Sequence, residues 1–340
     1  MLRIGGVIII IALGSFFLFQ LSPNPDEVIP VQGYQCPWGS TDCNPCVYDV
    51  EESFESTKRR GEVMGFTHGS YSFNLYLLQH WQGVQRMIAG NGQYLVFTRS
   101  SSIGGSVNVV KISSRDIRGL WFGSNRQNPT IAWSDYVAPP YSDRIVAQQY
   151  VEDDYDHAGG LQAIGNYVAV AVEGDNDNAL VEFYRVFDNP ERLNFYKLEG
   201  NTFRRTFTNS TNGQEGHTGA VAITRLRELG GSDYSCRYVM AVCGSDCEDM
   251  DFYVSELPDL ENPGEWIEFD SISNVPGQST HEDYQNINFI NQCDGKLFLA
   301  GFDKDVSRDE IELWEVTLTN ENPYSRHGLS ASMTRIGEYH

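Results

Sequence analysis

From residue 63 onward, apolar and polar residues alternate with a period of two. The runs are short and break at Gly, Asn, Asp and Pro. Met64, Phe66, Tyr71, Phe73, Leu75 and Leu77 open the pattern. Strict alternation places successive side chains on opposite faces, which predicts half-buried strands. Long amphipathic helix patterns are hard to find beyond Leu21. One ordered unit stands out. His157-Ala158-Gly159-Gly160-Leu161-Gln162 leads to a glycine turn at Gly165 and then to the apolar run Tyr167-Val168-Ala169-Val170-Ala171-Val172-Glu173-Gly174. The same order recurs from His80-Trp81-Gln82-Gly83-Val84-Gln85, from His217-Thr218-Gly219-Ala220-Val221, and from His281-Glu282-Asp283-Tyr284-Gln285.

After each histidine a four-strand order can be traced. The second repeat predicts strands at 160–164, 167–172, 180–187 and 193–198. The third predicts 221–226, 238–242, 251–255 and 266–269, and the fourth 287–290, 297–301, 311–317 and 333–339. The first predicts 83–88, 94–98, 107–112 and 130–133. A repeated four-stranded meander predicts an all-β fold, a β-propeller of four-stranded blades, with a flat sandwich as the alternative. Four repeats are visible. His340 stands where the histidine of a fifth repeat would fall, so the pattern also allows five blades in a chain that stops as the fifth begins. The strands predicted between 66 and 78 precede His80 as outer strands precede the other histidines. They could close the ring by completing the last blade.

Composition agrees with a turn-rich β protein. The 340 residues include 32 glycines, 18 tyrosines and 18 phenylalanines, and 41% are hydrophobic, enough to bury a sizeable core. The formal charge of −22 changes the picture more. So negative a chain repels phosphate backbones, and it carries no basic stripe, which disfavours nucleic acid as a partner. Residues 4–21 are uncharged and follow Arg3, with Asp26 and Glu27 beyond them. This predicts a signal anchor or signal peptide over 1–22 that puts the rest on the exported side of a membrane. The predicted locations are periplasmic, extracellular or lumenal. Residues 23–62 read as a Cys/Pro-rich acidic connector, and 63–340 as the propeller domain. Seven cysteines fit export. They fall at Cys36/Cys43/Cys46, at Cys236/Cys243/Cys247 and at Cys293. Disulfides are the expectation, because three-cysteine clusters without an adjacent histidine make poor zinc sites.

His80, His157, His217 and His281 each come just before a predicted innermost strand. In a propeller that position lies near the mouth of the central channel, so the fold would bring four imidazoles toward one axis. Four neutral imidazoles suit iron or zinc, which could activate oxygen or polarise a substrate. The arrangement resembles that of the carotenoid-oxygenase propellers, in which one histidine from each of four blades holds iron. The competing expectation is structural: Gly216-His217 is similar to the Gly-His pair of WD-type repeats, where the histidine ties blades together by hydrogen bonds. Repeated residues in a repeat protein generally mark repeated packing. His68 and His327 fall outside the register.

Three predicted hairpins are acidic: Asp175-Asn176-Asp177-Asn178, Asp246-Cys247-Glu248-Asp249, and Asp303-Lys304-Asp305. They read as solvated tips, with calcium as the alternative ligand. The sequence lacks Gly-x-Ser-x-Gly, His-Glu-x-x-His and phosphate-cradling glycine motifs. Trp38, Trp81 and Trp121 are candidates for stacking on sugars or for packing between blades. Together these features predict an exported, membrane-anchored propeller that binds a protein or glycan ligand. The alternative is a metalloenzyme built on the four histidines.

Overall fold

The computed structural model describes residues 46–56, 80–87, 94–100, 104–111, 144–152, 155–174, 179–189, 192–205, 218–227, 236–244, 247, 249–273, 284–304, 309–320 and 329–339. They form a four-bladed β-propeller of antiparallel sheets set in a ring. Blade 1 is β1 (His80–Met87), β2 (Tyr94–Ser100), β3 (Ser106–Lys111) and β4 (Arg144–Tyr150). Blade 2 is β5 (Tyr155–Ile164), β6 (Tyr167–Gly174), β7 (Ala179–Asn189) and β8 (Arg192–Lys197), with β9 (Phe203–Arg205). Blade 3 is β10 (Ala220–Arg227), β11 (Cys236–Cys243), β12 (Asp249–Ser255) and β13 (Trp266–Ser273). Blade 4 is β14 (Tyr284–Asn291), β15 (Leu297–Lys304), β16 (Asp309–Asn320) and β17 (Leu329–Tyr339). In each sheet the strands pair in chain order, and in blade 2 β8 and β9 share the long edge of β7.

The predicted meander is therefore present, with two corrections. The outer strand of blade 1 is β4, not 130–133, which lies outside the described residues. Ile145 and Ala147 turn inward from β4, so its apolar pattern is the one the blade selects. Residues 336–339 belong to β17, the outer strand of blade 4, rather than to the opening of a fifth repeat. His340, the strands predicted between 66 and 78, and the 1–22 segment lie outside the described residues. No helix among the described residues is long and apolar enough to cross a membrane.

Alternation explains the packing. Each blade presents one row of side chains to the blade before it and another to the blade after. Val168, Val170 and Val172 of β6 face Val107, Val109 and Val96 of blade 1. Ala169 and Ala171, the intervening residues, face Val221, Ile223 and Val242 of blade 3. This is why the second strands read as continuous apolar runs: they are covered on both sides. Blades 3 and 4 meet through Phe252, Val254, Tyr284, Phe289 and Trp314. The remaining face of blade 4 packs against α1 (Val50–Glu55) through Phe298, Ala300, Leu313, Val50 and Phe54. Asp49 caps α1 by accepting from the Glu52 N–H at 2.8 Å.

The third strand of every blade also buries one polar residue: Asn108, Glu182, Asp251 and Glu312. Blades 1 and 3 solve this with a neutral donor directly opposite. Gln148 donates to Asn108 at 2.9 Å and Ser271 to Asp251 at 2.6 Å. Blades 2 and 4 use a glutamate met diagonally by a cation, Lys197 for Glu182 and Arg335 for Glu312. A tyrosine hydroxyl completes each pair, from Tyr184 and Tyr284. Burial beside Glu182 pushes the Tyr184 phenol well above its usual range.

Two disulfides lie among the described residues. Cys243–Cys247 is local, whereas Cys46–Cys293 spans 247 residues and ties the N-terminal side of the chain to the end of β14. Cys236 is disulfide-bonded as well. At Cys46 the connector is thus tied to blade 4 rather than stapled to itself. Val47 extends the tie by pairing with Gln292.

Candidate functional site at the mouth of the axis

The innermost strands β1, β5, β10 and β14 line the axis, and amide side chains fill its middle. Gln162 of β5 accepts from the backbone N–H groups of Ile223 at 2.7 Å and Phe289 at 2.9 Å. Its own amide donates to the Phe289 carbonyl at 2.9 Å. Asn286 accepts from the Leu161 N–H at 2.7 Å, and Asn288 donates to the Leu161 carbonyl at 3.0 Å. Gln85 accepts from the Ala163 N–H, and Asn291 donates to Thr224 at 2.8 Å. Gln85, Gln162, Asn286, Asn288 and Asn291 are all buried. The strands approach so closely that a Cβ on Gly159 would collide with the Gly219 carbonyl, and one on Gly160 would stand 2.7 Å from the Gln285 carbonyl. Only glycine fits there.

Above this belt, at the start of the inner strands, the chemistry changes. His157, the third residue of β5, lies directly across from Glu173 on β6, so the two side chains share a face. Nδ1 of His157 meets Oε2 of Glu173 at 2.5 Å. With that nitrogen donating, Nε2 is an acceptor, and the Gln82 amide of β1 donates to it at 2.5 Å. The same amide reaches the Gln285 carbonyl oxygen of β14 at 3.3 Å. A chain of four side chains thus links blades 2, 1 and 4. The His157 side chain is 29% exposed and that of Glu173 11%.

Backbone irregularities aim these groups. The β1–β2 ladder shifts register between Trp81 and Val84, around Gln82. The β14–β15 ladder shifts between Tyr284 and Asn286, around Gln285. The β5–β6 ladder shifts twice, between Tyr155 and His157 and between Ala158 and Leu161. The β10–β11 ladder has no shift. An extra residue in one strand rotates the side chain that follows it, and three of the four inner strands use this at the mouth.

Of the histidines singled out in the sequence, His157 is brought into this cluster. It sits inside β5 rather than before it, because the inner strand begins at Tyr155. His80 is the first residue of β1, opposite Ser100, and its side chain lies outside the described residues. His217 and His281 lie outside them too. So do the tips of the acidic hairpins at 175–178, 245–246 and 305–308, where calcium was an alternative. Among the described residues no group of three His, Cys, Asp or Glu side chains is placed to hold a metal ion. Glu173, Gln82 and Gln285 were not singled out from the sequence. Their one local signal is that each interrupts or ends an apolar strand at its histidine-bearing end.

No known protein family matches the chain, and no curated protein is significantly similar to it. Among solved structures it is similar to an engineered GH43 glycoside hydrolase described as displaying both endo-xylanase and exo-arabinofuranosidase activity. The identity is 11% and the TM-score 0.34, over 70% of this chain and 37% of that one. The chain therefore spans little more than a third of that protein, and a likeness at this level concerns strand arrangement alone.

Proposed function

We propose that this protein is an exported, membrane-anchored β-propeller binding module whose ligand is a glycan, held at the mouth of the axis by Gln82, His157, Glu173 and Gln285. The observation that carries the reading is the set of register shifts that turn polar side chains of three blades into one half-exposed cluster above a sealed belt. Two carboxamides, a carboxylate and an imidazole offer both donors and acceptors, which matches hydroxyl-rich ligands. These groups bond mainly to one another, so a ligand can replace those bonds without leaving backbone groups unpaired. The disulfides support an oxidising compartment, and the 1–22 segment supports delivery across a membrane.

A second reading, a metalloenzyme, has one observation in its favour. Glu173 on Nδ1 of His157 is the partner that a metal-bound imidazole normally carries. It requires the Gln82 amide to leave Nε2 and His80, His217 and His281 to converge on the same point.

Both readings are tested on the full chain and its His157→Ala variant, by glycan-array binding and by metal analysis. The binding reading expects array signals that fall at least about tenfold in the variant, the size of one or two lost ligand hydrogen bonds. An unchanged array profile sinks it. Near-stoichiometric iron or zinc in the parent, lost in His157→Ala, would instead establish the metal site.

A further inference from the structure

Blade 1 carries a second feature at the same end of the ring. Trp81, Arg99, Ser106 and Tyr150 are paired directly across β1, β2, β3 and β4. Directly paired residues point to the same face, so the four form one row across the mouth edge of the blade. Its two ends are exposed aromatics, Trp81 at 43% and Tyr150 at 52%, while Arg99 and Ser106 between them are buried. Adjacent strands lie about 4.8 Å apart, which puts the two ring-bearing positions about 14 Å from each other.

We propose that this row is a stacking rail for an extended, neutral oligosaccharide, with Trp81 as its inner platform and Tyr150 as its outer one. The inference rests on the glycan reading of the mouth and extends it by naming the class of ligand. Trp81 is seated against Phe97 edge-on, with ring centroids 4.6 Å apart, so its face is presented in a fixed orientation. Tyr150 lies within the electrostatic reach of the Arg99 guanidinium, whose pKa burial lowers and Tyr150 raises. Exposed, preorganised aromatic faces suit the C–H faces of sugar rings, and their separation calls for several linked units rather than one. The next residue after Trp81 is Gln82, so one end of a chain stacked on Trp81 reaches the His157 cluster. The chain's charge of −22 selects a neutral glycan over a polyanionic one.

The test is calorimetric titration with ladders of neutral oligosaccharides, from monosaccharide to hexasaccharide, drawn from the series the array identifies, and with an acidic ladder in parallel. The full-length protein is expected to bind longer neutral chains more tightly. Tyr150→Ala is expected to match it on the shortest chains and to lose about tenfold on the longest, the worth of one aromatic platform. Tyr150→Phe, which keeps the ring, is expected to retain that increment. Trp81→Ala is expected to weaken every length. Equal affinity of Tyr150→Ala and the parent along the whole ladder, or tighter binding of the acidic ladder, would overturn the rail. Sensitivity to His157→Ala alone would do the same while leaving the mouth site intact. Failure of the parent to bind any ladder would remove the mouth reading as well.

Discussion

The middle and the mouth of the axis are built from the same inner strands and much the same residue types, yet they do opposite jobs. In the middle, Gln162 and Asn286 bond to backbone groups of other blades. Those partners belong to strands that cannot move apart without opening the ring, so the amides act as fasteners. At the mouth, Gln82 and Gln285 bond to side chains, which have rotamers to spare. An amide whose partner is a buried backbone N–H is expensive to disturb. One whose partner is a half-exposed side chain is replaceable. Burial alone does not separate the two roles. The identity of the partner does.

The contrast can be broken at its strongest point first. Gln162→Leu strips two buried N–H groups and a carbonyl of their partner, and is expected to cost on the order of 3 kcal/mol or more in chemical denaturation. A loss below about 1 kcal/mol, the net worth of a single ordinary hydrogen bond, would show that water or rearrangement satisfies the axis and that the belt is not a fastener. Asn286→Ala removes the acceptor for Leu161 N–H alone among these backbone donors, and is expected to cost about 1–3 kcal/mol. Gln285→Ala at the mouth sharpens the comparison from the other side. Its stability is expected to stay within about 0.5 kcal/mol of the parent, while glycan affinity falls. A mouth variant as destabilised as Gln162→Leu would erase the distinction.

The order of strands could be read from the sequence because local alternation encodes it. Val168–Val172 faces two blades at once and reads apolar throughout, while β17 exposes alternate residues and reads as an edge. The outer strand of blade 1 was misplaced because Ile131-Ala132-Trp133 imitates a strand as well as Ile145-Val146-Ala147 does, and only pairing with β3 decides between them. The histidine repeat pointed to the correct end of the ring, and His157 is found there. What surrounds it could not be read. Glu173 meets His157 through a hairpin register, and Gln82 and Gln285 come from 75 and 128 residues away (285 − 157 = 128). The amide belt was equally hidden, since Gln162 bonds to partners 61 and 127 positions along the chain. A glutamine in an inner strand looks like a flaw in the apolar pattern until the facing backbone is known.

The Cys46–Cys293 bridge sets which way the molecule faces. β14 enters at the mouth with Tyr284 and Gln285 and runs down the axis to Asn291, so Cys293 lies at the far end. A pull on any residue ahead of Cys46 is delivered there as tension on a covalent link, not as a peeling force on α1. A propeller tethered by that part of its chain hangs from its base, and its mouth is turned outward, away from whatever holds the other end.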